Sequence, residues 1–185
     1  MKTKYKIGID PDVSKSGFCA VSQCGTRLEL IELSNLDFFD CTERIKYYAD
    51  MWTAKGYSYI IVIEQGELNK ALFTAHKAKT NGIAAKIGMN TGKNFAISDL
   101  LISYCQRNSI AYKTYQPTTA KLKQNIIAKI FPSVKRSNSE QRDAIRCILW
   151  KNVFVFKIIV LHLCQQEGET TALKHTRHDY FQSDF

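Results

Sequence analysis

Proline, glycine and cysteine are scarce in this chain, and each shortage excludes a class of protein. Three prolines and nine glycines in 185 residues are too few for a collagen-like or low-complexity chain. The six cysteines include no C-x-x-C pair, so neither a zinc site nor a redox motif is indicated, and reduced, mostly buried thiols are expected. An apolar stretch at residues 152–164 contains Lys157 and has thirteen residues, whereas a membrane span needs about 20.

Length and composition predict one globular unit with a tail. The basic N-terminus leads into Ile7–Asp10 rather than an apolar run of signal-peptide length, so we expect a cytoplasmic protein with no membrane partner. The sequence changes character after Trp150, which divides it into a domain at residues 1–150 and a C-terminal extension at residues 151–185. The extension either continues the last helix, adds an edge strand, or forms the interface of a homodimer.

Acidic residues are almost absent from the middle of the chain. The net charge of the whole chain is +9. Between Glu67 and Glu140 lie twelve lysines and arginines and a single acid, Asp99, so the positive excess is local. Isolated surface lysines only solvate helix faces, but this many repel each other unless a polyanion offsets them. The pattern favours binding to the phosphate backbone of a nucleic acid.

The first half of the chain alternates short apolar segments with turn residues, which predicts a three-stranded antiparallel meander, a helix and a buried parallel strand. Gly56 is predicted to lie just past the end of the helix, as its C-cap. The predicted elements are strands at Tyr5–Asp10, Gly17–Ser22 and Arg27–Leu33, a helix at Thr42–Ala54 and a strand at Tyr59–Ile63.

The second half is predicted to begin with an irregular excursion and to continue with helices around one more strand. In the excursion, Gln65–Asn94, helix formers near Ala71–Lys79 are interrupted at Asn81–Gly82 and again at Gly88–Gly92. The alternation of helices and strands indicates an α/β fold with a mixed sheet. The elements predicted after the excursion are a helix at Phe95–Arg107, a strand at Ile110–Tyr115, a helix capped by Thr118 or Thr119 that carries Lys121 to Ile130, and a last helix capped by Ser139.

Four acids occupy positions that suit a metal site. Asp10 and Glu64 each follow a buried strand, and parallel neighbouring strands bring such residues to one edge of the sheet. Glu140 and Asp143 are three residues apart and share a face of the last helix. Each acid alone has an ordinary structural reading, as a turn residue or a helix-N-terminal acid. Together, beside a basic surface, they favour Mg²⁺ or Mn²⁺ binding and hydrolysis of phosphodiesters assisted by two metal ions.

The ordered set of motifs resembles the RuvC family of Holliday junction resolvases, within the ribonuclease H-like superfamily. The whole pattern is most similar to the short RuvC-like proteins of phages and their bacterial hosts. Asp12 departs from it, since the family has glycine there, and Glu140 stands where aspartate or histidine is commoner. The segments that carry the resemblance are Ile7–Gly17 with its I-G-I-D-P, Val62–Gln65 with the strand-ending glutamate, Gly92–Ala96, Gln116–Lys123, and Ser139–Ile145 with two acids three apart.

The resemblance implies both the fold and the roles of individual residues. The fold would be a ribonuclease H-like mixed sheet of five strands, a three-strand antiparallel meander plus parallel strands, flanked by helices. Asp10, Glu64 and Asp143 would bind magnesium or manganese with Glu140 in support, and Lys121 and Lys123 would contact the scissile phosphate. The residues expected to bind nucleic acid are Lys77, Lys79, Lys86, Lys93, Lys121, Lys123, Lys135, Arg136 and Arg142.

The function expected from the sequence is therefore a magnesium-dependent endodeoxyribonuclease that acts on branched DNA. A four-way junction is the expected substrate, and two active sites of a homodimer would suit its two-fold symmetry. Two alternatives stay open. In the first, the chain is a nucleic-acid binding module that keeps the fold without the chemistry. In the second, it is a nuclease of the same fold that acts on flaps or RNA–DNA hybrids, and the charge pattern does not exclude this because phosphate contacts carry no information on substrate shape.

Overall fold

A five-stranded mixed sheet forms the centre of the protein. The computed structural model describes residues 3–68, 80–117 and 121–149. The strand order is β3-β2-β1-β4-β5; β1, β2 and β3 are antiparallel neighbours, while β4 and β5 run parallel to β1. This sheet confirms the predicted α/β class, with a three-strand antiparallel meander and two parallel strands. The strands are β1 (Lys4–Asp10), β2 (Ser16–Cys24), β3 (Arg27–Leu36), β4 (Ser58–Glu64) and β5 (Tyr112–Tyr115).

Helices cover both faces of the sheet. One face packs on α1 and the second half of α2, and its core contains Trp52 together with Ile7, Ile9, Ile61 and Ile63. The alternate residues of β1 and β4 face α4 instead, because successive side chains of a strand point to opposite faces. The described helices are α1 (Phe38–Ala54), α2 (Asn81–Arg107), α3 (Gln124–Ile130) and α4 (Ser139–Leu149), with a short 3-10 turn at Gly66–Leu68.

Four of the five strands extend beyond the predicted ranges. The last residues of β3, Ser34 to Leu36, are polar or half-buried, yet they pair with Phe18, Gly17 and Ser16 of β2. Backbone hydrogen bonds carry this pairing, so side-chain polarity alone ends the prediction too early. The fifth strand is shorter than predicted, since Ile110 and Ala111 precede the ladder.

The first helix also begins earlier than predicted, at Phe38 rather than Thr42. The Asp37 side chain caps it by accepting a hydrogen bond from the backbone N–H of Asp40 at 2.9 Å. At the other end the C-cap is Lys55, and Gly56 follows it with a φ of 65°, a left-handed conformation that favours glycine. Gly56 therefore lies just past the end of the helix, as predicted, one position beyond the cap residue.

The predicted irregular excursion is wrong for residues 81–94. Asn81–Arg107 is one continuous helix of 27 residues, and Thr80 caps it by accepting from the N–H of Ile83. A glycine inside a helix costs only about 1 kcal/mol, so Gly82, Gly88 and Gly92 do not interrupt it. The helix formers near Ala71–Lys79 lie outside the described residues.

The helix predicted to carry Lys121 begins later than expected. Lys121, Leu122 and Lys123 precede α3, and Lys123 takes the N-cap position. The proposed caps Thr118 and Thr119 lie outside the described residues. For α4 the cap is Asn138 rather than Ser139, because the Asn138 side chain accepts from the N–H of Gln141 at 2.9 Å and the Gln141 side chain accepts from the N–H of Asn138.

The interpretations of the C-terminal extension, as a helix, an edge strand or a dimer interface, all concern residues 151–185 and lie outside the described residues. Among the helices that the structure describes, none is long and apolar enough to cross a membrane. Four of the five described cysteines, Cys19, Cys41, Cys105 and Cys147, are buried thiols, and Cys24 is exposed.

Candidate metal and nucleic-acid site

Asp10 and Glu64 end two neighbouring parallel strands and point to the same face. In β1 the residues that face α4 alternate as Gly8 and Asp10, and in β4 they alternate as Val62 and Glu64. The register pairs Gly8 with Val62 and Ile9 with Ile63, so the two carboxylates emerge side by side. Both are only partly exposed. Asp10 and Glu64 therefore lie at the same edge of the sheet, as expected for residues that end neighbouring parallel strands.

Two glycines allow α4 to lie directly on this face of the sheet. A Cβ atom added to Gly8 would lie 2.1 Å from the carbonyl oxygen of Ala144, and one added to Gly17 would lie 2.0 Å from the carbonyl oxygen of Glu140. No side chain fits at either position. The close approach of helix and sheet brings Asp143, whose side chain is 5% exposed, towards the carboxylates of β1 and β4.

The crowding of the acids raises the pKa of two of them, Asp10 and Glu64. Burial, followed by the charges of Glu64 and Asp143, raises the pKa of Asp10 from 3.8 to about 8. Burial also raises the pKa of Glu64 from 4.5 to about 7, although the charge of Arg146 partly opposes that rise. Neighbouring like charges of this kind are stable in the ionised form only when cations compensate them.

Two basic side chains compensate part of this charge, and they differ in exposure. The Lys121 ammonium donates to Oδ2 of Asp143, and its side chain is 66% exposed. Arg146 lies one helical turn after Asp143; its guanidinium is 3.5 Å from Asp143 Oδ1 and 3.6 Å from Glu64 Oε2. The Arg146 side chain is 9% exposed and lies over the ring of Tyr115, 5.8 Å from its centroid.

Arg146 belongs to the site but was not identified from the sequence. Its neighbours Ile145, Cys147 and Ile148 are all buried. A single charged residue within such an apolar helical segment needs a buried partner, and that signal was present in the sequence. The partner itself depends on how α4 crosses the sheet, which the sequence does not specify.

The donor set fits a hard divalent cation in chemistry and charge. Within the described residues, Glu64 Oε2 and Asp143 Oδ1 are buried carboxylate oxygens without a hydrogen-bond donor. Carboxylate oxygens are the ligands that Mg²⁺ and Mn²⁺ prefer. In the protein alone Asp143 is paired with Lys121 and Arg146, and no group of three acidic, histidine or cysteine side chains in the described ranges is arranged to hold a metal ion.

Glu140 lies at the edge of this cluster. It is partly exposed in the first turn of α4, and one of its carboxylate oxygens accepts from the Ser139 hydroxyl at 2.8 Å. Its charge makes the smallest of the named contributions to the raised pKa of Asp10. Glu140 is therefore near the three central acids but has a partner of its own.

Asp12, two residues after Asp10, is bound by partners outside the three central acids. Its side chain accepts hydrogen bonds from the N–H and hydroxyl of Ser14 and from the amide of Asn94 on α2. Partial burial opposes ionisation, but these hydrogen bonds outweigh it and lower the pKa of Asp12. Asn94 also accepts from the N–H of Val13 at 3.1 Å, so Asp12 holds the β1–β2 turn against α2.

A cleft of about 350 Å³ opens between the carboxylate edge and α2. Phe95 packs against Gly66, where an added Cβ would lie 2.7 Å from the ring, and the Ser98 hydroxyl donates to the carbonyl oxygen of Glu64 at 2.6 Å. These contacts position the polar face of α2 beside the acids. The cleft is lined by Asp10, Pro11, Glu64, Gly66, Ile87, Asn90, Thr91, Asn94, Phe95 and Ser98.

The basic residues expected to bind nucleic acid occupy several elements. Lys86 and Lys93 are exposed on α2, and Lys123 is exposed before α3. Lys135 and Arg136 are exposed in the loop that leads to α4. Arg142 is partly buried and donates to the carbonyl oxygen of Ser137 at 2.7 Å, so it stabilises that loop. Lys77 and Lys79 lie outside the described residues.

The fold is a mixed five-stranded α/β sheet flanked by helices, with the carboxylates of Asp10 and Glu64 at one of its edges. No family model matches the chain, and no curated protein sequence matches it. Among solved structures it is similar to RuvC of Thermus thermophilus in complex with a Holliday junction, with 14% identity, a TM-score of 0.46, and coverage of 77% of this chain and 88% of that chain. It is also similar to the Fowlpox virus resolvase in complex with Holliday junction DNA, with 11% identity, a TM-score of 0.41, and coverage of 77% and 94%. A third similar structure, the Aquifex aeolicus PPX-GPPA enzyme, has 8% identity, a TM-score of 0.36, and coverage of 74% and 42%.

Proposed function

We propose that residues 1–150 form a metal-dependent endonuclease domain that hydrolyses phosphodiester bonds in branched DNA, with the four-way junction as its substrate. The observation that carries this proposal is the convergence of Asp10, Glu64 and Asp143, from β1, β4 and α4, at one edge of the sheet. Two of their buried oxygens, Glu64 Oε2 and Asp143 Oδ1, accept no hydrogen bond among the described residues and have only the ion pair with Arg146, at 3.6 and 3.5 Å. The burial of Asp143 and the partial burial of Asp10 and Glu64 cost stability, and a structural role does not need this cost.

In this proposal Asp10, Glu64 and Asp143 hold magnesium or manganese, and Glu140 supports them. When bound, such a cation acts as a Lewis acid on the phosphate and lowers the pKa of water. The raised pKa values of Asp10 and Glu64 mean that cation binding displaces protons from the carboxylates near neutral pH. Binding should therefore tighten as the pH rises from 6 to 8.

Lys121 has the exposure and position of a residue that contacts the scissile phosphate. Its ammonium lies at the carboxylate edge while most of its side chain is open to solvent. A phosphate that enters the site can take over the ion pair that Lys121 makes with Asp143, which frees that carboxylate for the cation. Lys123, two residues on, would contact the flanking backbone.

The exposed lysines extend the contact surface away from the acids. Lys86 and Lys93 of α2 lie on the helix that lines the cleft, and Lys135 and Arg136 precede α4. Phosphate contacts from these elements would orient the DNA over the cleft but would not by themselves select a junction. A homodimer would place two such sites on a two-fold junction.

A labelled four-way junction, a matched duplex, a flap and an RNA–DNA hybrid, each incubated with the full chain and magnesium or EDTA, test the proposal. Symmetric magnesium-dependent nicks in the junction are expected. Magnesium-dependent cleavage of only the flap or the hybrid would keep the nuclease and reject the substrate. Junction binding without cleavage of any of the four would contradict the proposal and favour the binding module.

A further inference from the structure

A buried guanidinium lies between two of the three carboxylates proposed to hold metal. One nitrogen of the Arg146 guanidinium, Nη2, is 3.6 Å from Glu64 Oε2 and 3.5 Å from Asp143 Oδ1. A cation that bridges these two side chains would have to occupy that region. The position is therefore already filled by a positive charge that belongs to the chain.

The charge on Arg146 is permanent and its location is fixed. An arginine stays protonated throughout the physiological pH range. Its side chain is 9% exposed, lies over the ring of Tyr115, and projects from α4, which Gly8 and Gly17 allow to press on the sheet. Lys121, by contrast, is largely exposed and can move towards a phosphate.

The charge balance of the site also leaves no place for a second divalent cation. When Asp10, Glu64, Glu140 and Asp143 are all ionised they carry four negative charges, and Arg146 with Lys121 supplies two positive charges. One divalent cation neutralises the remainder. A second divalent cation would leave an excess of positive charge beside a buried guanidinium, which a low-dielectric site opposes strongly.

We propose that Arg146 takes the place of a second divalent cation, so that each chain binds one such ion at the Asp10 side of the cluster. This inference rests on the proposed function and refines its chemistry, which was expected from the sequence to use two ions. Arg146 acts here as a positioning residue, since it holds Glu64 and Asp143 in place and limits the charge that they can accept.

The test is the number of Mn²⁺ ions bound per full chain, with and without a four-way DNA junction. It is measured by titration calorimetry and by the electron paramagnetic resonance of free Mn²⁺. Ions that are lost in Asp10→Asn define the site. Wild type is expected to bind one such ion. Arg146→Gln should bind Mn²⁺ about tenfold more tightly and take up a second ion, because a positive charge a few ångströms away is removed. Arg146→Lys keeps the charge and should behave as wild type.

Each outcome decides a different claim. Two Asp10-dependent ions in wild type, with or without DNA, would overturn the role of Arg146 and leave the nuclease intact. An Arg146→Gln variant with wild-type stoichiometry and affinity would also overturn it. No Asp10-dependent ion under either condition would reject the proposed metal-dependent function itself. If Arg146→Gln does not fold, the wild-type count and Arg146→Lys still decide the question.

Discussion

Replacement of Asp10 by asparagine should stabilise the metal-free protein while it removes the proposed nuclease activity. The folded state raises the pKa of Asp10 from 3.8 to about 8 because the carboxyl is buried beside Glu64 and Asp143. Between these two values the folded chain retains a proton that the unfolded chain releases. The free energy of unfolding therefore falls as the pH rises through this window, and an asparagine escapes the loss because it has no charge to bury.

The pKa shift sets the size of the effect. Each pH unit inside the window costs about 1.4 kcal/mol, and the cost levels off near pH 8, so the loss between pH 6 and pH 8 is about 2 kcal/mol. In a domain of about 150 residues this lowers the melting temperature by about 4–8 °C. Glu64, whose pKa rises to about 7, adds a loss of the same sign, so the variant keeps part of the pH dependence.

The assay is thermal unfolding in EDTA at pH 6 and pH 8. Asp10→Asn should melt above wild type, and the difference should widen from pH 6 to pH 8. Asp12→Asn is the matched control, two residues away, because its hydrogen bonds from Ser14 and Asn94 favour the ionised form; its loss should destabilise the fold by about 1–2 kcal/mol. An Asp10→Asn protein that melts at or below wild type at pH 8 would refute the reasoning.

Three further predictions concern packing, chemistry and DNA binding. Gly8→Ala should destabilise the fold by about 3 kcal/mol in urea titrations, because its Cβ would meet the backbone of α4 at 2.1 Å; an unchanged midpoint would contradict that contact. Lys121→Met should slow junction cleavage by about 10²–10³-fold and change junction affinity in EDTA by less than about tenfold, as expected of a group that contacts the reacting phosphate; cleavage within about threefold of wild type would remove Lys121 from the site. The double variant Lys135→Ala/Arg136→Ala should reduce the slope of log affinity against log salt by about two, measured by fluorescence anisotropy over several salt concentrations; an unchanged slope would place the DNA elsewhere.

The sequence carried enough information for the sheet and for the acids that end its strands. Apolar alternation predicted the five strands, and the parallel relation of β1 and β4 placed Asp10 and Glu64 at one edge. These features depend on local pattern and on a general rule of sheet topology. The pattern predicted strands that end too early where backbone pairing continues through polar residues, as at the end of β3.

The sequence was less informative about contacts that depend on the approach of one element to another. The continuity of α2 through its glycines reflects the cooperativity of a 27-residue helix, which outweighs a few unfavourable residues. The role of Gly8 is apparent only once α4 is seen against it. Arg146 was missed for the same reason, since two of its partners, Glu64 and Tyr115, come from β4 and β5.

The most direct test of the central claim is the cleavage of one labelled four-way junction in magnesium by wild type, Asp10→Asn, Glu64→Gln and Asp50→Asn. Asp50 is exposed on α1 and pairs with Lys46, so it controls for the loss of an acid away from the site. Cleavage by wild type and Asp50→Asn, with none by the other two variants at wild-type junction affinity, is the predicted result. Cleavage that survives in Asp10→Asn and Glu64→Gln would show that this carboxylate edge is not the site of chemistry.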